Sequence, residues 1–128
     1  MNETLQTLLE RRSIRSYKEE QVSEDDLNQI LKSGTYAASG AGKQSAVMVV
    51  VQDPETIAKM SKMNAEVMGV TSDPFYGAPT VVVVLADKTA STPVEDGSLV
   101  IGNLMNAAYS LGVSSCWIHR AREVMDSE

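Results

Sequence analysis

The chain has 128 residues, 43% of them hydrophobic, with 17 acidic and 11 basic residues and a net charge of −6. That length fits one domain, and the apolar content supports a core and excludes a disordered chain. The acidic balance lacks the broad positive field of nucleic-acid binding proteins, the opening MNETLQTLLERR has no signal-peptide pattern, and the longest apolar run, Val81 to Ala86, is too short for a bilayer.

In chain order, residues 3–12 predict a helix with Leu5, Leu8 and Leu9 on one face. A second helix starts at Ser23, where Ser-Glu-Asp-Asp offers a capping box and acids for the positive helix end. Its stripe is Leu27, Ile30 and Leu31, and it should fail near Ser39-Gly40. Val47 to Val51 is an apolar, largely β-branched run that suits a strand buried on both faces. Asp53-Pro54 sets a capping acid before proline at the first helical position. That helix carries Ile57, Met60, Val67 and Met68 and ends near Gly69, followed by a loop from Thr71 to Pro79.

Thr80 to Leu85 predicts a second buried strand. A helix over Asp96 to Leu111 follows, with Leu99, Val100, Leu104, Ala107, Ala108 and Leu111 inward and Gly112 as its left-handed cap. Val113 to Ile118 reads as a third strand, and a last helix begins at Arg122. That helix stops at Asp126-Ser127-Glu128 without a cap, as expected of a chain cut short. Strands alternating with helices argue for one sheet covered by helices on both faces, in a single domain without repeats.

Three segments could carry chemistry. In Arg11-Arg12-Ser13-Ile14-Arg15-Ser16-Tyr17, Arg11 and Arg15 share a face if the helix continues. If the chain extends, Arg11, Ser13 and Arg15 do so. Either way two guanidinium groups converge, which suits a phosphate; the alternative is that the basic residues complement a helix C-terminus. Ala37-Ala38-Ser39-Gly40-Ala41-Gly42-Lys43-Gln44 is a small-residue run that lets a flat ring or a phosphate approach the backbone, or simply an ordinary helix-to-strand turn. Gly112 to Arg120 ends the expected third strand at a helix start, where ligands bind in open α/β sheets. Trp117 there could flank an aromatic cofactor.

Cys116 reads as a core residue of that strand rather than a nucleophile. As a lone cysteine it excludes an internal disulfide and suits a reducing compartment, which predicts a cytoplasmic protein. His119 is the sole histidine, which argues against a histidine metal site or a charge-relay triad; it could donate a proton to a reduced substrate or be an exposed loop residue without a role.

Together these segments resemble the FMN-dependent nitroreductase family. The resemblance runs through Arg11 to Tyr17, Asp73-Pro74-Phe75-Tyr76-Gly77-Ala78-Pro79, Glu95 to Leu111 with Asn103 and Asn106, and Ser115-Cys116-Trp117-Ile118-His119-Arg120. It implies an α+β fold, a central mostly antiparallel or mixed sheet flanked by helices, and an intertwined homodimer with FMN at the interface. It also implies that Arg11, Arg12, Ser13 and Arg15 hold the phosphate, ribityl chain and pyrimidine edge, and that Asn64 makes a polar contact to the ring. Trp117, Ile118, His119 and Arg120 would line the ring near its redox nitrogen, while Ser39, Gly40 and Gly42 reach across from the second subunit.

The run Gly42-Lys43-Gln44-Ser45-Ala46 departs from the family's usual pattern and keeps only Gln44. Family members also continue past residue 128 into a strand that embraces the partner and supplies basic residues for the phosphate. The implied activity passes electrons from NADH or NADPH through FMN to a nitroaromatic, quinone or similar conjugated acceptor, by a ping-pong scheme without a side-chain nucleophile. The alternative from another class is a shortened, catalytically silent remnant that dimerises or stores flavin.

Overall fold

The computed structural model describes residues 1–126. Ser127 and Glu128, where the expected end of the last helix falls, lie outside the described residues. The elements are α1 (Glu3–Glu10), α2 (Glu24–Thr35), β1 (Val47–Val51), α3 (Pro54–Met68), β2 (Val81–Leu85), α4 (Pro93–Ser110) and α5 (Ala121–Asp126). A single 3-10 turn, Gly40–Gly42, lies between α2 and β1.

Local chemistry explains most boundaries. The Ser23 hydroxyl accepts the Asp26 N–H at 3.1 Å and starts α2, while the Asp53 carboxylate accepts the Thr56 N–H at 3.2 Å and starts α3. Helix α4 begins three residues before the expected Asp96, because Pro93 occupies its first turn. It ends in a Schellman motif: the Val113 N–H reaches the Ala108 carbonyl at 2.8 Å, the Gly112 N–H reaches Tyr109 at 3.0 Å, and Gly112 takes φ +77°.

The sheet is one antiparallel pair, with Val47 opposite Leu85 and Val51 opposite Val81. Helix α2 packs along α4, α1 also touches α4, α4 lies against β2, and α3 packs on α5. The core gathers Ile30, Ala37, Val100, Leu104 and Ala108, with Met48, Val82 and Val84 of the sheet against them. Gly34 permits the close crossing: a Cβ there would stand 2.8 Å from Met48 Sδ and 2.9 Å from Leu104 Cδ2. Across the same crossing the Asn103 amide donates to the Ser33 carbonyl at 2.9 Å, while Ser33 Oγ donates to the Asn103 carbonyl at 3.3 Å.

Three expectations need correction. Residues 113–118 form no strand; apart from their local turns onto α4 and α5, the backbone bond among the described residues that ties them to a distant segment is the Ser115 carbonyl accepting the Ile14 N–H, and no ladder develops. The sheet is not buried on both faces within the chain, since Val47 and Val49 of β1 are exposed while Met48 faces the core. Leu99, expected inward, is 49% exposed, because the inward stripe of α4 runs through Asp96, Val100, Leu104 and Ala108. The Leu5, Leu8 and Leu9 face of α1 is likewise open, at 49%, 54% and 61%.

Candidate functional site

The two readings of the Arg11 segment separate at once. Helix α1 stops at Glu10, and Arg11 already has an extended backbone (φ −53°, ψ 136°). Arg12 turns back, its guanidinium donating to the Leu9 and Arg11 carbonyls, both at 2.9 Å, so it neutralises the negative end of α1. Arg11 is different. Its Nη1 is buried and has no hydrogen-bond partner. Ser13 and Arg15 are exposed.

A backbone bond joins this segment to the chain after α4: Ile14 N–H donates to the Ser115 carbonyl at 3.1 Å. The Tyr17 hydroxyl donates to the Ile14 carbonyl from the same side. Burial pushes the Tyr17 phenol up to about 12; Cys116 and Tyr76 add to the rise and Arg15 opposes it, so the four groups share one neighbourhood. Residues 11–17 and 113–120, far apart in sequence, therefore form adjacent walls.

On the second wall, Cys116 is half-buried, as a filler between segments rather than a residue of a strand. Trp117 is 43% exposed and its ring lies 5.8 Å from the His119 ring, tilted by 56°. Arg120 pairs with Glu123 at 3.9 Å. The carbonyls of Ile118 and His119 accept the N–H groups of Ala121 and Arg122 at the start of α5. Among the described residues no carbonyl takes the backbone N–H of Trp117, Ile118, His119 or Arg120, which leaves four donors open before a helix.

Asn64 lies on the inner side of α3 and is only 1% exposed. Its Nδ2 donates to the Met60 carbonyl at 2.9 Å, but Oδ1 is buried without a partner. Beyond α3, Asp73 holds the following loop, accepting the Ser61 hydroxyl at 2.5 Å and the N–H groups of Phe75 at 2.9 Å and Gly77 at 2.7 Å. Partial burial would raise the Asp73 carboxyl, but these three bonds outweigh it and hold it below its ordinary value. Tyr76, between the bonded residues, is forced to φ +55°.

The small-residue loop stands apart. Ser39 Oγ accepts the Gln44 N–H at 2.9 Å, and the Gln44 side chain donates to the Thr35 carbonyl at 2.9 Å. Ala41, Gly42 and Gln44 all have positive φ, at +54°, +65° and +50°. The loop's remaining ties run to Asp96 on α4, a residue that sequence reasoning read only as a helix start and motif position; the available signal was an acid in register with Val100 and Leu104 on the inward stripe. No hydrogen bond links Ser39, Gly40 or Gly42 to residues 11–17 or 117–120 among the described residues.

An open groove of about 810 Å³ runs between α3 and residues 70–79, yet none of the expected flavin residues lines it. A smaller pocket of about 210 Å³ sits behind the small-residue loop, with Ser39, Gln44 and Asp96 in its wall. The unpartnered polar atoms are the better guide to chemistry, because a buried unmet donor or acceptor costs about 1–3 kcal/mol unless something pairs with it.

Comparison with known proteins fits this arrangement. The profile of the Nitroreductase family matches residues 8–71. A relative from Archaeoglobus fulgidus that carries the name NADH dehydrogenase/NAD(P)H nitroreductase is 36% identical over 92% of this chain and 68% of its own. An FMN reductase [NAD(P)H] of Bacillus subtilis is 38% identical over 49% of this chain, and the chain spans only 25% of that protein. The crystal structure of a nitroreductase with bound FMN from Bacteroides fragilis superposes with a TM-score of 0.87 at 29% identity, covering 99% of this chain and 80% of that one. The chain has the α+β nitroreductase fold and belongs to the nitroreductase family.

Proposed function

We propose that this chain binds FMN and acts as an NAD(P)H-dependent oxidoreductase. One observation carries the reading: the buried side-chain atoms without a partner are Arg11 Nη1 and Asn64 Oδ1, among the described residues, and both fall at positions that the family resemblance assigns to flavin. The pair also fits chemically. A guanidinium N–H is a charged donor suited to a phosphate or to the electron-rich pyrimidine edge, and an amide oxygen is an acceptor suited to a ring N–H. The FMN-bound Bacteroides structure and the FMN reductase of Bacillus subtilis support the same cofactor.

In this reading Arg11 and Arg15, with the hydroxyl of Ser13, hold the anionic tail and the pyrimidine edge. Arg12 contributes charge while it caps α1. The open N–H groups of Trp117 to Arg120 supply donors beside the ring, and the exposed Trp117 ring shields one flank from water. The bound flavin supplies hydride acceptance and electron delivery. Cationic donors near the pyrimidine edge favour the negative charge of the reduced state. In this reading His119, exposed beside Trp117, hands a proton to a reduced product.

The acceptor is a flat, conjugated electrophile such as a nitroaromatic or quinone, taking its turn in the pocket after the nicotinamide leaves. Ser39, Gly40 and Gly42 complete that pocket from the second subunit of a homodimer, which also covers the open faces of α1 and β1. The lone Cys116 suits a reducing cytoplasm. The test is direct. Purified protein should be yellow, release FMN on denaturation, and oxidise NADH or NADPH with a quinone; colourless protein that ignores added FMN would end the proposal.

A further inference from the structure

The one buried carboxylate of α4 has no role in the reading above. Asp96 is 3% exposed and sits on the inward stripe among apolar residues, an expensive place for a charge. Its partners show what it does. Oδ1 accepts the Gly40 N–H at 2.9 Å and the Thr92 hydroxyl at 2.9 Å, and Oδ2 accepts the Ser45 hydroxyl at 3.4 Å. Gly40 and Ser45 bracket the small-residue loop. Between them lie three of the chain's positive-φ residues, Ala41, Gly42 and Gln44, two of which have a Cβ and pay for that conformation in strain.

Nearby residues are arranged around this clamp. Thr92, the N-cap of α4, makes no side-chain cap bond, because its hydroxyl is turned to Asp96 instead. Gly40 has no room for a side chain, since a Cβ would stand 2.3 Å from Thr92 Oγ1. The loop thus relinquishes a helix cap, tolerates left-handed backbone at non-glycine residues, and buries a carboxylate to keep one shape.

We propose that Asp96 is a positioning residue that clamps both ends of the 39–45 loop to α4 and so fixes the shape this loop presents to the flavin of the opposite subunit. The clamp stands on its own bonds; its consequence for the cofactor rests on the FMN reading.

The test uses the full chain with Asp96→Ala, Asp96→Asn and Thr92→Val. Asparagine offers the same oxygen to Gly40 and Thr92 and should restore what alanine removes. In Asp96→Ala, FMN affinity should fall about tenfold, the visible flavin spectrum should shift, and the Gly40 and Gln44 amides should lose hydrogen-exchange protection. Thr92→Val, which removes one donor and keeps the side-chain shape, should give a smaller change in the same direction and serves if Asp96→Ala does not fold. If wild-type protein takes up no FMN, the flavin reading falls, and the amide exchange of the apoprotein alone decides the clamp. Unchanged protection and affinity in both Asp96→Ala and Thr92→Val would overturn the proposal. So would equal losses in Asp96→Asn and Asp96→Ala, because charge rather than shape would then be responsible.

Discussion

Ile14 donates its backbone N–H to the carbonyl of Ser115 across 3.1 Å, and that bond sets the N-terminal arginine segment beside the segment after α4. Neither segment has a regular ladder to hold it. The arrangement is fixed by this bond, by the Tyr17 hydroxyl on the Ile14 carbonyl, and by the Schellman turn that aims the chain back from α4.

Removing the unpartnered cation should uncouple binding from folding. Arg11→Ala is expected to lower FMN affinity by roughly ten- to a hundredfold, the value of a charge-assisted hydrogen bond, while the melting temperature of the apoprotein stays level or rises. Fluorescence titration with FMN and calorimetry of the apoprotein check the two halves. In Arg15→Ala, turnover of NADH or NADPH with a quinone should be lost, and unimpaired turnover would count against this placement of the flavin.

Asn64 predicts the same opposition from inside the protein. Its Oδ1 is buried and unmet, so Asn64→Leu should leave the apoprotein as stable as wild type or stabilise it by about 1 kcal/mol, although the Met60 carbonyl loses a donor. FMN binding should weaken in that variant. A matched loss of stability and affinity would show that Asn64 is structural only.

Acid should loosen the 73–77 loop. The Asp73 carboxyl is held below its ordinary value of 3.8 in the folded protein, so the stability it contributes is present above that value and is lost as the pH falls through the lower folded value. Asp73→Asn should lose loop protection at neutral pH and show a flatter decline in stability below about pH 4. Urea unfolding followed from pH 6 to pH 2 measures both. At the other extreme Tyr17 contributes stability that is present below pH 10 and is lost as the pH rises toward about 12, a loss that Tyr17→Phe should remove.

Where α2 crosses α4 and β1, a methyl group would displace the ends of two core side chains. Gly34→Ala would set a Cβ 2.8 Å from Met48 Sδ and 2.9 Å from Leu104 Cδ2. Overpacking of this kind costs about 1–3 kcal/mol, against which better helix propensity returns up to about 1 kcal/mol. A net loss of about 1 kcal/mol should appear as a lower urea midpoint with an unchanged slope.

The open face of α1 should depend on a second chain. Leu8→Glu is expected to leave each subunit folded and to shift the protein to monomers in sedimentation, since Leu8 is 54% exposed and contributes nothing to the core of its own chain. Dimers of undiminished stability would move the interface elsewhere.

Local chemistry made much of the fold legible. Asp53-Pro54 and Gly69 bracket α3 as read from sequence, and β1 spans the residues that the valine run marks. Val113 to Ile118 misled because an apolar run shows that a segment avoids water but not whether another strand lies beside it. Leu99, Val47 and the α1 leucines misled for a related reason: apolar patterning says that a face is to be covered, without saying from which chain. In the site, Arg11 and Asn64 were visible as motif positions, but only the structure shows that each buries an unmet polar atom. Asp96 was read only as a helix start and motif position, because its partners Gly40 and Ser45 lie more than fifty residues away in sequence.

The sheet has just two strands, so each presents one side with no ladder neighbour among the described residues. Such rows of bare amides and carbonyls are templates for any stray extended segment, and here they are flanked by exposed valines. Subunits driven apart, as by Leu8→Glu, should therefore precipitate by edge-to-edge stacking at high concentration, and a lysine placed at Val49 should delay it.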